Sequence, residues 1–152
     1  SEVKVGVTRK TQMPTRWIDQ GAEEAIVVVE VPNRYLAGIT EVALKNHFAD
    51  KTNWRKMLTN TYDAVDLVQE KAKVQAWLPD EVREFYNLDK NEIIAMHYPV
   101  AAYPTKVNSL NLDKTPFYQG QLIGVKGQYL LFQDGTVFNV RSYEGYVVQI
   151  AI

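Results

Sequence analysis

Apolar and other residues alternate from the start of the chain, Lys4-Val5-Gly6-Val7-Thr8, and this period of two predicts a strand over residues 4–8. A strand opening at the second residue, without an initiator Met, reads as a processed N-terminus or as a fragment whose upstream partner strand is gone; trimming is the reading adopted. Pro14 suits the first position of a short helix through Thr15, Arg16, Trp17, Ile18 and Asp19 that stops near Gly21. Residues 25–31 are rich in β-branched side chains and end at Pro32, which predicts a second, largely buried strand pairing with the first. Asn33 then caps a helix to about Ala49 with Leu36, Ile39, Ala43 and Leu44 as its apolar stripe. Residues 53–86 read as helical, with Asp63 as a cap and Pro79 opening a further helix. From Ile93 the texture changes to strands over 93–97, 121–125, 128–133, 136–141 and 145–150. Lys126-Gly127 and Asp134-Gly135 supply two tight reversals.

The expected fold class is α+β. A β-α-β-α unit occupies residues 1–58, a helical segment 59–92, and an antiparallel sheet or small barrel 93–152. No internal repeat is visible.

Composition narrows the chemistry. The 152 residues contain no cysteine, which removes disulfide scaffolds, thiolate zinc sites and cysteine nucleophiles, and two histidines leave little for an imidazole metal cage. The longest aliphatic run, residues 25–29, is too short to cross a bilayer, and no secretory start is present, so no membrane is expected and the default compartment is the cytoplasm. Net charge is −1, unevenly spread: residues 1–58 carry nine Lys/Arg against seven Asp/Glu, and residues 59–102 carry four against eight. A mildly basic first third is the part suited to a phosphate-bearing partner.

Within that third, a strand ending at Gly6 and Thr8 leads through Arg9, Lys10 and Thr11 into a helix carrying Arg16, which predicts an anion site. Arg34, Gly38, Glu41 and Lys45 recur at helical spacing, and Gly38 leaves the side next to Glu41 bare. A carboxylate that holds a divalent cation and an arginine that balances charge on phosphate are what phosphodiester hydrolysis requires.

These residues resemble the GIY-YIG endonuclease-like superfamily. The run Lys4-Val5-Gly6-Val7-Thr8, then Arg16, then Glu41 after an apolar strand, followed by Leu44 and Phe48, is similar to its phage-type branch. The segments Thr15-Arg16-Trp17-Ile18-Asp19-Gln20-Gly21-Ala22, Lys51-Thr52-Asn53-Trp54-Arg55, His97-Tyr98-Pro99-Val100 and Gly124-Val125-Lys126-Gly127-Gln128-Tyr129 resemble a bacterial family labelled as a domain of unknown function. The resemblance implies that Arg16 meets the scissile phosphate, that Glu41 binds a single divalent metal, with Mg²⁺ as cofactor, and that Lys4, Thr8 and Arg9 line the phosphate entrance. It also implies water activation by tyrosines of two tripeptides. Here the second tripeptide reads Lys4-Val5-Gly6 and the first falls upstream of Ser1, so the residues assign no general base. Longer members of the bacterial family carry a cysteine-rich, zinc-type segment; this chain has no zinc site of that kind.

Three readings therefore stand beside one another. The chain binds nucleic acid on a nuclease-like scaffold without catalysis; it is a metal-dependent endonuclease; or it is an interaction module that docks a protein through its C-terminal sheet. Each site residue also has an ordinary reading: Glu41 paired with Lys45, Arg16 paired with Asp19 or Glu23, Gly6 needed for close backbone approach, and Lys10 a plain surface charge. His47 and His97 read as half-buried and hydrogen-bonded, Trp17, Trp54 and Trp77 as core, and residues 98–118 as a long polar connection suited to a binding loop or to plain surface.

Overall fold

Two apolar clusters organise the computed structural model, which describes residues 3–49 and 51–152. The proposed start of the first strand at the second residue lies outside them. The first cluster is built by helices. Helix α1 (Thr15–Asp19) leads into strand β1 (Glu24–Ile26), and α2 (Arg34–Leu44) follows. Asn33 caps α2 as the sequence predicts, its Oδ1 accepting from the Leu36 amide at 3.0 Å. Leu44 buries fully with Val74, Leu78 and Val82, and Val5, Leu36, Ile39 and Phe48 pack around them. Val74 ends α4 (Leu67–Val74), and a 3-10 run, Asp80–Phe85, follows Pro79 and carries Val82. The cap of α4 is Asp66 rather than Asp63. Its carboxylate takes both the Val68 and Gln69 amides, at 3.0 and 3.1 Å.

The second cluster is built by a sheet. Strands β3 (Asn108–Ser109), β4 (Leu122–Lys126), β5 (Tyr129–Phe132) and β6 (Thr136–Asn139) stand in the order β3-β6-β5-β4. The two predicted hairpins are present: Gly127 and Gly135 turn the chain at φ 58° and 84°, values that side chains with a Cβ rarely adopt. The pairing is antiparallel except for β3 against β6, and the sheet stays open rather than closing into a barrel. Leu131 and Val137 pack with Val107 and with Met57 and Leu58 of helix α3 (Trp54–Thr59). Helix α3 therefore belongs to the core of the C-terminal sheet. Conversely, strand β2 (Ile93–Ala95) pairs antiparallel with β1, with Ala25 opposite Ile94.

That last pairing corrects an expectation. Residues 4–8 do not pair with residues 25–31 and form no strand; Lys4 makes a single parallel bridge to Ala49, and the Ala49 amide donates to the Val3 carbonyl at 3.1 Å. The partner of β1 arrives from 93–95, a separation that alternation within either segment cannot reveal. The pairing expected within the β-α-β-α unit of residues 1–58 is thus absent, and a site built on these residues must stand on its own geometry. A second correction concerns residues 145–150, which form no strand. Their route is tied by phenol groups instead: the Tyr143 hydroxyl donates to the Leu110 carbonyl and accepts from the Leu112 amide, and the Tyr146 hydroxyl donates to Asp113. Among the described residues no helix is long and apolar enough to cross a membrane.

Candidate functional site

Residues 3–5 join the two helices that carry Arg16 and Glu41. The Lys4 ammonium donates to the Gln20 side chain at 2.9 Å, and Gln20 caps the C-terminus of α1 one turn beyond Arg16. On the other side, the backbone of Val3 and Lys4 meets Ala49, and Val5 enters the core beside Leu44 at the end of α2. Lys4, Arg9, Arg16 and Glu41 are all exposed, and Thr8 is half-buried with its hydroxyl donating to the Arg9 carbonyl.

The ordinary pairings expected for these charges do not form. Among the described residues, Arg16 makes no ion pair with Asp19 or Glu23, Glu41 none with Lys45, and no ion pair joins Arg16 to Glu41. Lys10 behaves as the plain surface charge it was read to be, held at 2.7 Å by Glu30, which also receives Lys90 at 3.5 Å. Helix α1 has five residues, too short for its N-terminus to hold an anion by itself, so the cationic side chains carry that role. A Cβ placed on Gly38 meets nothing within 4 Å, which leaves the surface beside Glu41 open; the same is true of Gly6, so no close backbone approach requires that glycine. No group of three His, Cys, Asp or Glu able to hold a metal occurs among the described residues. A metal ion at Glu41 would therefore need its remaining ligands from water or phosphate oxygens.

Trp77 packs against the first cluster, and His97, like His47, is exposed where a half-buried histidine was expected. His47 is exposed rather than half-buried and stacks on Trp77, rings 3.9 Å apart and 4° from parallel.

A second constellation escaped the sequence reading. Lys126 ends β4 and is fully buried, its ammonium donating to the Glu23 carboxylate and, at 3.4 Å, to the Asn60 side chain. Three rings enclose it: Tyr103, Tyr98 and Tyr62, with centroids 4.9, 5.3 and 6.0 Å from the ammonium. Burial, with the nearby Glu23 charge, pushes all three phenols above their ordinary range, Tyr98 furthest. The Tyr98 hydroxyl donates to the Ala22 carbonyl at 2.7 Å. Backbone contacts tighten the same junction. A Cβ on Gly127 would stand 3.2 Å from the Gly21 nitrogen, and one on Gly21 would overlap the Met57 thioether. The turn after α1, the end of α3, residues 98–103 and the β4–β5 hairpin thus meet around the Lys126–Glu23 ion pair. The only sequence signal was a charged residue in an apolar strand, and Lys126 had been read as part of a turn.

A family model described as "Protein of unknown function (DUF2797)" matches residues 1–148 of the chain. No curated protein and no solved structure gives a match.

Proposed function

The chain belongs to the DUF2797 family, whose description assigns no activity, and from its side chains we propose that it binds nucleic acid through phosphate contacts made by Lys4, Arg9 and Arg16. One observation carries this reading. Lys4 is held on Gln20, one helical turn from Arg16, and neither cation has a carboxylate partner among the described residues. Exposed cations on adjoining segments, without a carboxylate partner among the described residues, favour a polyanion, because each neutralised phosphate releases condensed counterions.

A second reading rests on Glu41. Its exposed carboxylate lies one turn after Gly38, whose open flank lets a phosphate approach. With Mg²⁺ between carboxylate and phosphate, Glu41 would support phosphodiester hydrolysis provided Arg16 reaches the same phosphate to balance charge on its oxygens. Binding of a short labelled oligonucleotide, measured across a salt series with and without Mg²⁺, tests both readings. Arg16→Ala should weaken binding and reduce the salt slope by about one, whereas Glu41→Ala should remove only the magnesium-dependent part. Equal binding by wild type and both variants, or none at low salt, removes the proposal.

A further inference from the structure

A stacked array lies next to this cationic edge. The Arg55 guanidinium sits 4.3 Å over the Trp54 ring centroid, and Trp54 in turn stacks with Tyr129, centroids 5.9 Å apart and 11° from parallel. Tyr129 also lines a shallow, mostly apolar cleft of about 330 Å³ with Val125, Leu130, Val140 and Arg141. Arg55 and Arg141 are exposed, and neither has an ion-pair partner among the described residues.

The array and helix α1 meet at the hairpin tip. Gly127, at the tip of the β4–β5 hairpin, packs on the backbone of Asp19 and Gly21, so the end of α1 abuts the hairpin from which Tyr129 rises. Arg16 thus lies on the helix that abuts this hairpin, while Trp54 and Arg55 stack on its Tyr129 and Arg141 shares the cleft with it.

We infer that this surface takes single-stranded nucleic acid, its bases stacking on the Trp54–Tyr129 platform while Arg55 and Arg141 meet the phosphates. The inference rests on the nucleic-acid reading above and names the ligand class within it. Every base has a π-face, and a duplex hides those faces, whereas a single strand presents them. An arginine lying on an indole and free of any carboxylate can yield its place to a base and still reach the neighbouring phosphate. Trp54 also packs against the Met57–Leu58 core, so the platform is held rigid from behind.

The test is fluorescence anisotropy with labelled oligothymidylate and with a duplex of equal length at low salt, using wild type, Arg16→Ala, Arg55→Ala, Trp54→Phe and Trp54→Leu. The single strand should bind at least about tenfold more tightly than the duplex. Trp54→Leu should lose about tenfold, Trp54→Phe should retain most binding, and Arg55→Ala should lower the salt slope by about one. Equal affinity for single strand and duplex, or indifference to Arg55→Ala and Trp54→Leu while Arg16→Ala still weakens binding, overturns the platform and leaves the phosphate reading standing. Absence of any binding overturns both. If Trp54→Leu does not fold, Arg55→Ala and the strand preference decide.

Discussion

The Lys126 ammonium reaches the Glu23 carboxylate across 103 positions of chain, and the pair is lopsided: the lysine side chain is wholly buried while the glutamate side chain keeps 30% of its surface. Removing one partner leaves the other with very different prospects. Without Glu23, the ammonium keeps, among the described residues, Asn60 and three aromatic rings; without Lys126, the carboxylate can still turn to water. Glu23→Gln should therefore cost about 3 kcal/mol, and Lys126→Met clearly less. Urea denaturation of the two variants checks this, and equal or reversed losses would refute the asymmetry.

Glycine substitutions separate two kinds of position. Gly127→Ala forces a Cβ into positive φ and against Gly21, and should destabilise by roughly 1–2 kcal/mol. Gly38→Ala lies within α2 with open space around it and should gain about 0.5–1 kcal/mol. Thermal melts of both variants read the opposite signs. If Gly38→Ala also weakens magnesium-dependent binding, the bare flank beside Glu41 is in use.

The cap of α4 offers a local test. Asp66→Ala removes an acceptor shared by two amides and should cost about 1 kcal/mol. An unchanged urea midpoint would show that α4 is held by packing alone.

Alkaline behaviour follows from two opposed shifts. Burial lowers the ammonium of Lys71, which donates to the Lys90 carbonyl, so the unfolded chain holds that proton more tightly and stability rises as pH climbs toward the ordinary lysine value of 10.5. Burial raises Tyr98, Tyr103 and Tyr62 instead, so the folded chain keeps protons that the unfolded chain loses, and stability falls as pH rises beyond the ordinary tyrosine value of 10.0. Stability should thus climb and then drop through the alkaline range, and Lys71→Met should abolish the climb. Denaturation midpoints across that range, with phenolate absorbance of the native state, measure both limbs. A native state whose tyrosines all ionise near pH 10 would contradict the second.

Local signals were legible in the chain: the Asn33 cap, the Leu36–Leu44 stripe and the two glycine hairpins all depend on residues within a few positions of one another, and all are present in the fold. So was the α+β class, since period 3.6 gives way to period 2 near Ile93. Pairing was not legible. Strand character in residues 25–31 holds no record of whether 4–8 or 93–95 lies alongside, and tertiary packing chose the latter. Strand-like texture at 145–150 likewise cannot supply the neighbouring edge that a ladder needs. Arg16 and Glu41 could be put forward as candidates from type and spacing, but spacing within one helix says nothing about what a second helix brings near. Lys126 is the sharpest case. Its burial depends on Glu23, Asn60, Tyr62, Tyr98 and Tyr103 arriving from three distant segments, because an ammonium can leave water only where a carboxylate and ring faces replace its hydration, and that replacement exists only once the chain has folded.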